Sequence, residues 1–191
     1  MVINSGDMSF SCLESERLVL RRFKESDLTP FVRYRSHPEV ERYQSWHDYT
    51  PDEGIKFLKQ MAGLHPAIPG TWFQFAIELK TSSSLIGDCA FYLRQDDPLQ
   101  GEIGFSLAPE FQKHGFATEA INRLLEYIFG SLGKRRVIAV TDVRNQASIQ
   151  VLERIGMRRE AHFFENIVFK GELGSEYVYA LLLDEWKQRK L

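Results

Sequence analysis

The chain has 191 residues, a length for one domain with a substantial core. Its 43% hydrophobic and 26% charged content is that of an ordinary soluble globular protein. A net charge of −2 supplies no global field to recruit nucleic acid or an anionic membrane, and the two cysteines, Cys12 and Cys89, form no metal or redox spacing. They are expected to be reduced thiols in a cytoplasmic protein, with Cys89 inside a strand. Residues 1–10 lack the basic start and apolar run of a signal peptide, and the longest apolar run, Tyr177–Leu183, is too short to span a bilayer.

Residues 1–15 read as a flexible segment and 16–191 as one domain. Arg17–Phe23 reads as a strand. Ser26 is a candidate N-cap for a helix through Arg35, with Leu28, Phe31 and Val32 inward. The stretch 37–49 breaks the pattern with a proline and gathers aromatics. Thr50-Pro51-Asp52-Glu53 then predicts a capped helix start, Thr50 as cap and Glu53 closing a capping box. That helix is expected to reach Gly63 and to bury Ile55, Leu58 and Met61.

Three strands follow, 71–80, 85–94 and 101–108, joined by short turns. Ala117, Ile121, Leu124, Leu125 and Ile128 then mark the core face of a helix. Residues 135–140 read as a strand and 145–156 as a short helix ending at Gly156. Two closing strands, 157–169 and 176–183, are linked by 170–175. The order is β-α-α-β-β-β-α-β-α-β-β, a mixed α/β domain on one sheet.

The seam between the strand at 101–108 and the next helix reads Gln112-Lys113-His114-Gly115-Phe116-Ala117-Thr118. A helix N-terminus offers free N–H groups and a positive dipole end, and a glycine lets a phosphate approach. Neither a Walker loop nor a Gly-x-Gly-x-x-Gly dinucleotide loop is present. The hexapeptide from Gln112 to Ala117 resembles the Gln/Arg-x-x-Gly-x-Gly/Ala motif of the GCN5-related N-acetyltransferase (GNAT) superfamily. Two further stretches, 101–112 and 144–157, resemble its ribosomal-protein N-terminal acetyltransferase branch.

That resemblance, which covers about Glu16 to Leu183, implies a single-domain fold with a mixed, mostly antiparallel sheet whose fourth and fifth strands splay apart. It implies that acetyl-CoA is the co-substrate, with its pyrophosphate gripped by Gln112, Lys113, His114, Gly115, Phe116, Ala117 and Thr118. The main chain of Phe105, Ser106 and Leu107, and the side chain of Asn145, would meet the pantetheine arm. Asn145 is also a good N-cap. Ser148, in the first turn of the following helix, would assist the leaving thiolate, because the position that carries a tyrosine acid in much of the superfamily is Leu152 here.

Glu102 ranks first as general base, with Glu165 and His162 as alternatives. Lys134-Arg135-Arg136 reads as a helix-end cationic cluster, with the 3′-phosphate of coenzyme A as its other reading. Tyr43, Trp46, Tyr49, Trp72 and Phe73 are divided between an acceptor pocket and the core. The chain thus reads as an acetyl-CoA-dependent N-acetyltransferase in which a primary amine attacks the thioester directly, with no metal. A peptide or protein α-amine is the acceptor expected first. A small-molecule amine (antibiotic, polyamine or amino acid) and a non-catalytic acyl-CoA-binding module are the rivals. Neither nucleic acid nor membrane is expected as a partner, and monomer and homodimer are both open.

Overall fold

The structure, a computed structural model, describes residues 10–189. Its centre is an eight-stranded sheet of β1 (Cys12–Glu14), β2 (Leu18–Arg21), β3 (Trp72–Leu79), β4 (Ser84–Leu93), β5 (Gln100–Leu107), β6 (Arg136–Asp142), β7 (Arg158–Phe169) and β8 (Glu172–Leu182). The strand order is β1-β2-β3-β4-β5-β6-β8-β7. Neighbours are antiparallel except β5 and β6, which run parallel. The helices are α1 (Leu28–Arg35), α2 (Pro38–Glu41), α3 (Pro51–Ala62), α4 (Phe116–Glu126), α5 (Gln146–Arg154) and α6 (Leu183–Gln188). Among the described residues, no helix is long and apolar enough to cross a membrane.

Alternation along the strands builds a core on each face of the sheet. On β3, Phe73, Phe75 and Ile77 enter one cluster with Ile121, Leu124 and Leu125 of α4, while Ala76 enters the other with Phe31 and Tyr34 of α1. Cys89 is buried within β4. The helix after the seam is largely as its spacing predicts: Ile121, Leu124, Leu125 and Ile128 are fully buried, Ala117 is half-buried against the same core, and a π turn (Tyr127–Ser131) prolongs α4. The capping box of α3 forms as expected, with Thr50 Oγ1 accepting from the Glu53 N–H and a Glu53 carboxylate oxygen accepting from the Thr50 N–H at 2.7 Å.

Several expectations need correction. Of the segment read as flexible, residues 1–9 lie outside the described ones, but Cys12–Glu14 pair with β2 as an edge strand. The expected fourth and fifth strands are therefore β5 and β6. Ser26 does not cap α1; it sits in a 3-10 turn (Glu25–Asp27), and the buried Asp27 accepts from the Lys24 N–H instead. Ile55 on α3 is exposed, because the helix seats Gly54 against α1, where a Cβ would lie 2.8 Å from Leu28 and Val32. Residues 172–175, read as a linker, belong to β8. The hairpin turn is only Lys170-Gly171, both left-handed with φ of 51° and 83°, the geometry that matches strand twist. The helices α2 and α6 were not expected.

Candidate functional site

Parallel pairing of β5 with β6 stops early. It joins Gln100 to Arg136, Gly101 to Val137 and Glu102 to Ile138, and no register is formed beyond. The outer neighbours continue, β4 pairing as far as Leu107 and β8 as far as Asp142. The sheet thus opens into a V from Ile103 and Ala139 onward, with one edge of each strand free to hydrogen-bond a ligand in extended form. Glu102 stands at the last paired position, the apex of the V.

Two adjoining cavities fill that opening. One, of about 380 Å³, is lined by Phe105, Ser106, Leu107, Gln112, Lys113, Gly115, Phe116, Ala117, Thr118, Asn145 and Ser148, among others. The other, of about 280 Å³, lies toward the apex and is lined by Glu102, Asp142, Leu152, Phe169 and Glu176, among others. Tyr43, Gln44, Phe105, Asn145 and Ser148 line both, so the cavities meet at the first turn of α5.

The larger cavity is suited to an anion at its outer end. Lys113 and Gly115 take left-handed backbone conformations, φ of 63° and 81°, which bend the chain tightly into α4. The first-turn amides of α4, at Phe116, Ala117 and Thr118, have no acceptor within the helix. The Thr118 hydroxyl is buried without a hydrogen-bond partner. A buried hydroxyl in that state is costly unless a ligand completes it, and a phosphate oxygen would. Gln112 donates its amide to the Leu107 carbonyl at 3.1 Å, tying the loop to the end of β5. Packing does not demand glycine at 115, since a Cβ there would meet only the Arg17 guanidinium at 3.5 Å; the positive φ does. Among the expected loop residues, His114 alone does not line the cavity. It is exposed and stacks on Phe116, with ring centroids 5.9 Å apart.

At the junction, Asn145 Oδ1 accepts from the Ser148 N–H at 3.1 Å, the expected N-cap, which leaves the Nδ2 donors for a ligand. Ser148 is half-buried, in the first turn of α5. Leu152 is buried and gives the smaller cavity an apolar wall. Burial, and then the neighbouring Glu176 charge, raise the pKa of Glu102 above the ordinary carboxylate value, against a weaker pull from Arg94. Hydrogen bonds from Arg144 hold Asp142 below the ordinary value. The other candidate bases lie elsewhere: His162 and Glu165 are exposed on β7 and line neither cavity.

The cationic cluster is also placed away from the cavities. Arg135 pairs with Asp97 at 2.6 Å and Arg136 with Glu160 at 2.5 Å. Of the five aromatics, only Tyr43 lines the site. Trp46, Tyr49 and Phe73 pack in the core regions, and Trp72 lies against Tyr92. Gln44 and Glu176 escaped the sequence reading. Gln44 donates to the Ser106 hydroxyl at 3.2 Å across the mouth of the V, and Glu176 reaches the site through the register of β8 with β6.

Comparison with known proteins agrees with this geometry. Residues 17–158 match the acetyltransferase (GNAT) domain family. The chain is 32% identical over 175 residues to an uncharacterized N-acetyltransferase, YnaD, of Bacillus subtilis, covering 91% of this chain and 98% of that protein. A GNAT-family acetyltransferase structure from Bacillus anthracis superposes with a TM-score of 0.83 at 29% identity, covering 91% of this chain and 99% of that one. The ribosomal-protein-S5-alanine acetyltransferase of Vibrio fischeri shares the fold, with a TM-score of 0.78 at 22% identity over 93% and 99% of the two chains. With a splayed parallel pair, a cavity that runs to the N-terminus of α4 and a family match over most of its length, the chain belongs to the GNAT acetyltransferases, N-acetyltransferases that use acetyl-CoA.

Proposed function

We propose that this enzyme acetylates the primary amine of a cationic acceptor that carries no carboxylate close to that amine, such as a polyamine or a basic small molecule. One observation supports this reading above the others. The smaller cavity is walled by Glu102, Asp142 and Glu176, and among the described residues its lining holds no lysine or arginine. Arg144 compensates Asp142 from outside, with a 2.7 Å ion pair, so Glu102 and Glu176 set the local field. A second cationic group on the acceptor gains there, and an acceptor carboxylate is repelled. The carboxylates come from three different strands, β5, β6 and β8.

Acetyl-CoA supplies the thioester, held with its pyrophosphate at residues 112–118 and its pantetheine arm along Phe105–Leu107. Glu102 at the apex takes a proton from the acceptor ammonium, directly or through a water, so that the free amine attacks the carbonyl carbon. As the C–S bond breaks, Ser148 and the N-terminal dipole of α5 stabilise the thiolate, which leaves carrying the electron pair and takes up the proton that the attacking nitrogen sheds as the amide forms. Alignment of the two reactants at the cavity junction supplies much of the acceleration.

A protein or peptide α-amine is the second reading, favoured by the free edge of β6 over Ala139–Asp142, which suits an extended backbone. A competition assay separates them. Spermidine, an aminoglycoside, amino acids, and short peptides with basic, neutral or acidic second residues are offered together with acetyl-CoA. The expected order places the polycations first and acid-bearing acceptors last. Preferential acetylation of amino acids or acidic peptides would overturn the reading.

A further inference from the structure

We propose that Arg17 is a positioning residue for the anion loop, fixing the Gly115 amide so that it faces the cavity. The proposal rests on the assignment of residues 112–118 to the pyrophosphate. Arg17 lies in the turn between β1 and β2, 97 positions from His114 in sequence, and is outside every motif of the family resemblance. Its Nη1 donates to the His114 carbonyl at 3.2 Å, and its guanidinium carbon lies 4.5 Å from the centroid of the Phe116 ring. The side chain is itself anchored. Glu119, in the first turn of α4, accepts from Arg17 Nε at 2.6 Å, from the Arg17 N–H at 2.7 Å and from the Ser15 hydroxyl at 2.7 Å.

The consequence follows from peptide geometry. In a trans peptide the C=O and the following N–H point in opposite directions. Holding the His114 oxygen toward Arg17 therefore turns the Gly115 N–H away from Arg17, to the side on which Gly115 lines the cavity and Arg17 does not. Gly115 has no Cβ to resist rotation of that unit. If the unit flipped, it would replace an N–H donor by a carbonyl oxygen where an anion should sit. Arg17 prevents the flip through its hydrogen bond, and its charge favours an anion on the far side of the loop.

The test is calorimetric and needs no acceptor. Coenzyme A and pantetheine, which lacks the pyrophosphate, are titrated into the wild type, Arg17→Gln and Arg17→Lys, with thermal unfolding run in parallel. Loss of a charge-assisted hydrogen bond predicts a roughly 10- to 100-fold weaker coenzyme A affinity in Arg17→Gln. Pantetheine affinity stays unchanged. Arg17→Lys, which keeps the charge but cannot span Glu119 and His114 together, falls between. Unchanged coenzyme A affinity in folded Arg17→Gln, or an equal loss for both ligands, overturns the role of Arg17. If Arg17→Gln does not fold, Arg17→Lys decides by the same two comparisons. A wild type that binds the two ligands equally would instead remove the pyrophosphate from the loop, and the proposal with it.

Discussion

Glu102, at the last rung of the β5–β6 pairing, and Glu176, opposite Asp142 on β8, line one cavity from its two sides. Burial and the Glu176 charge raise the Glu102 pKa, so the group remains protonated to a higher pH than an ordinary glutamate. A base works in its ionised form, so kcat/KM should rise with pH through that raised value. Glu176→Gln removes the like charge, lowers the Glu102 pKa and moves the acidic limb of the profile to lower pH. Arg94→Gln moves it the other way. Glu102→Gln should lower kcat about 100-fold or more and abolish the limb. A limb that stays in place in Glu176→Gln, or survives in Glu102→Gln, means that another group is the base.

What could be read in the sequence depended on the range of the signal. The Thr50 capping box, the α4 face and the Asn145 cap are set by residues three or four positions apart, and each formed. The loop proposed for the anion could be picked out because its chemistry is packed into seven consecutive residues. Glu176 could not be read, since only the pairing of β8 with β6 sets it opposite Asp142, at the cavity that Glu102 also lines. The Arg17–His114 contact is equally long-range. Strand β1 escaped because three residues are too few to show alternation, and Ile55 misled because the seating of Gly54 turned α3.

Gly115 is constrained by conformation rather than by its protein neighbours. Gly115→Asp should fold, because aspartate tolerates the left-handed region better than most residues. Its side chain would start 3.5 Å from the Arg17 guanidinium, so its negative charge would neutralise that cation and lower the positive potential of the loop proposed for the anion. Coenzyme A affinity should fall at least about tenfold, as for loss of a charge-assisted bond, and the loss should shrink at high salt. Unchanged affinity by calorimetry would remove the loop from the site.

The buried ion pair between Arg35 and Asp88 at 3.2 Å anchors the wall that carries Tyr43 and Gln44. Tyr34 donates to the same carboxylate, Gln74 accepts from Arg35 at 2.8 Å, and Trp46 donates to the Arg35 carbonyl at 3.0 Å. The guanidinium also lies 4.1 Å from the Trp46 ring and 4.3 Å from the Phe31 ring. Asp88→Ala leaves a buried guanidinium uncompensated, which should cost about 3–5 kcal/mol in urea unfolding. A loss below about 1 kcal/mol, the scale of an exposed pair, would show that the network does not hold this face together.

Two hydroxyls stand where the cavities meet, Tyr43 and Ser148, while the superfamily's tyrosine position is the buried Leu152. Tyr43 donates its proton to the Arg144 carbonyl at 3.2 Å, so that proton is already engaged. Ser148 sits in the first turn of α5, where the helix dipole favours developing negative charge. A contact to the departing sulfur is used mainly in the transition state, so Ser148→Ala should lower kcat with little change in the acetyl-CoA KM. The fall should be about tenfold or more, at the low end of general-acid effects because water can partly replace a hydroxyl. Ser148→Thr restores the hydroxyl and should recover most of the rate. Tyr43→Phe should act chiefly on the acceptor KM. If Ser148→Ala keeps the wild-type kcat and Tyr43→Phe loses it, the proton comes from the tyrosine, and Ser148 is only part of the helix start.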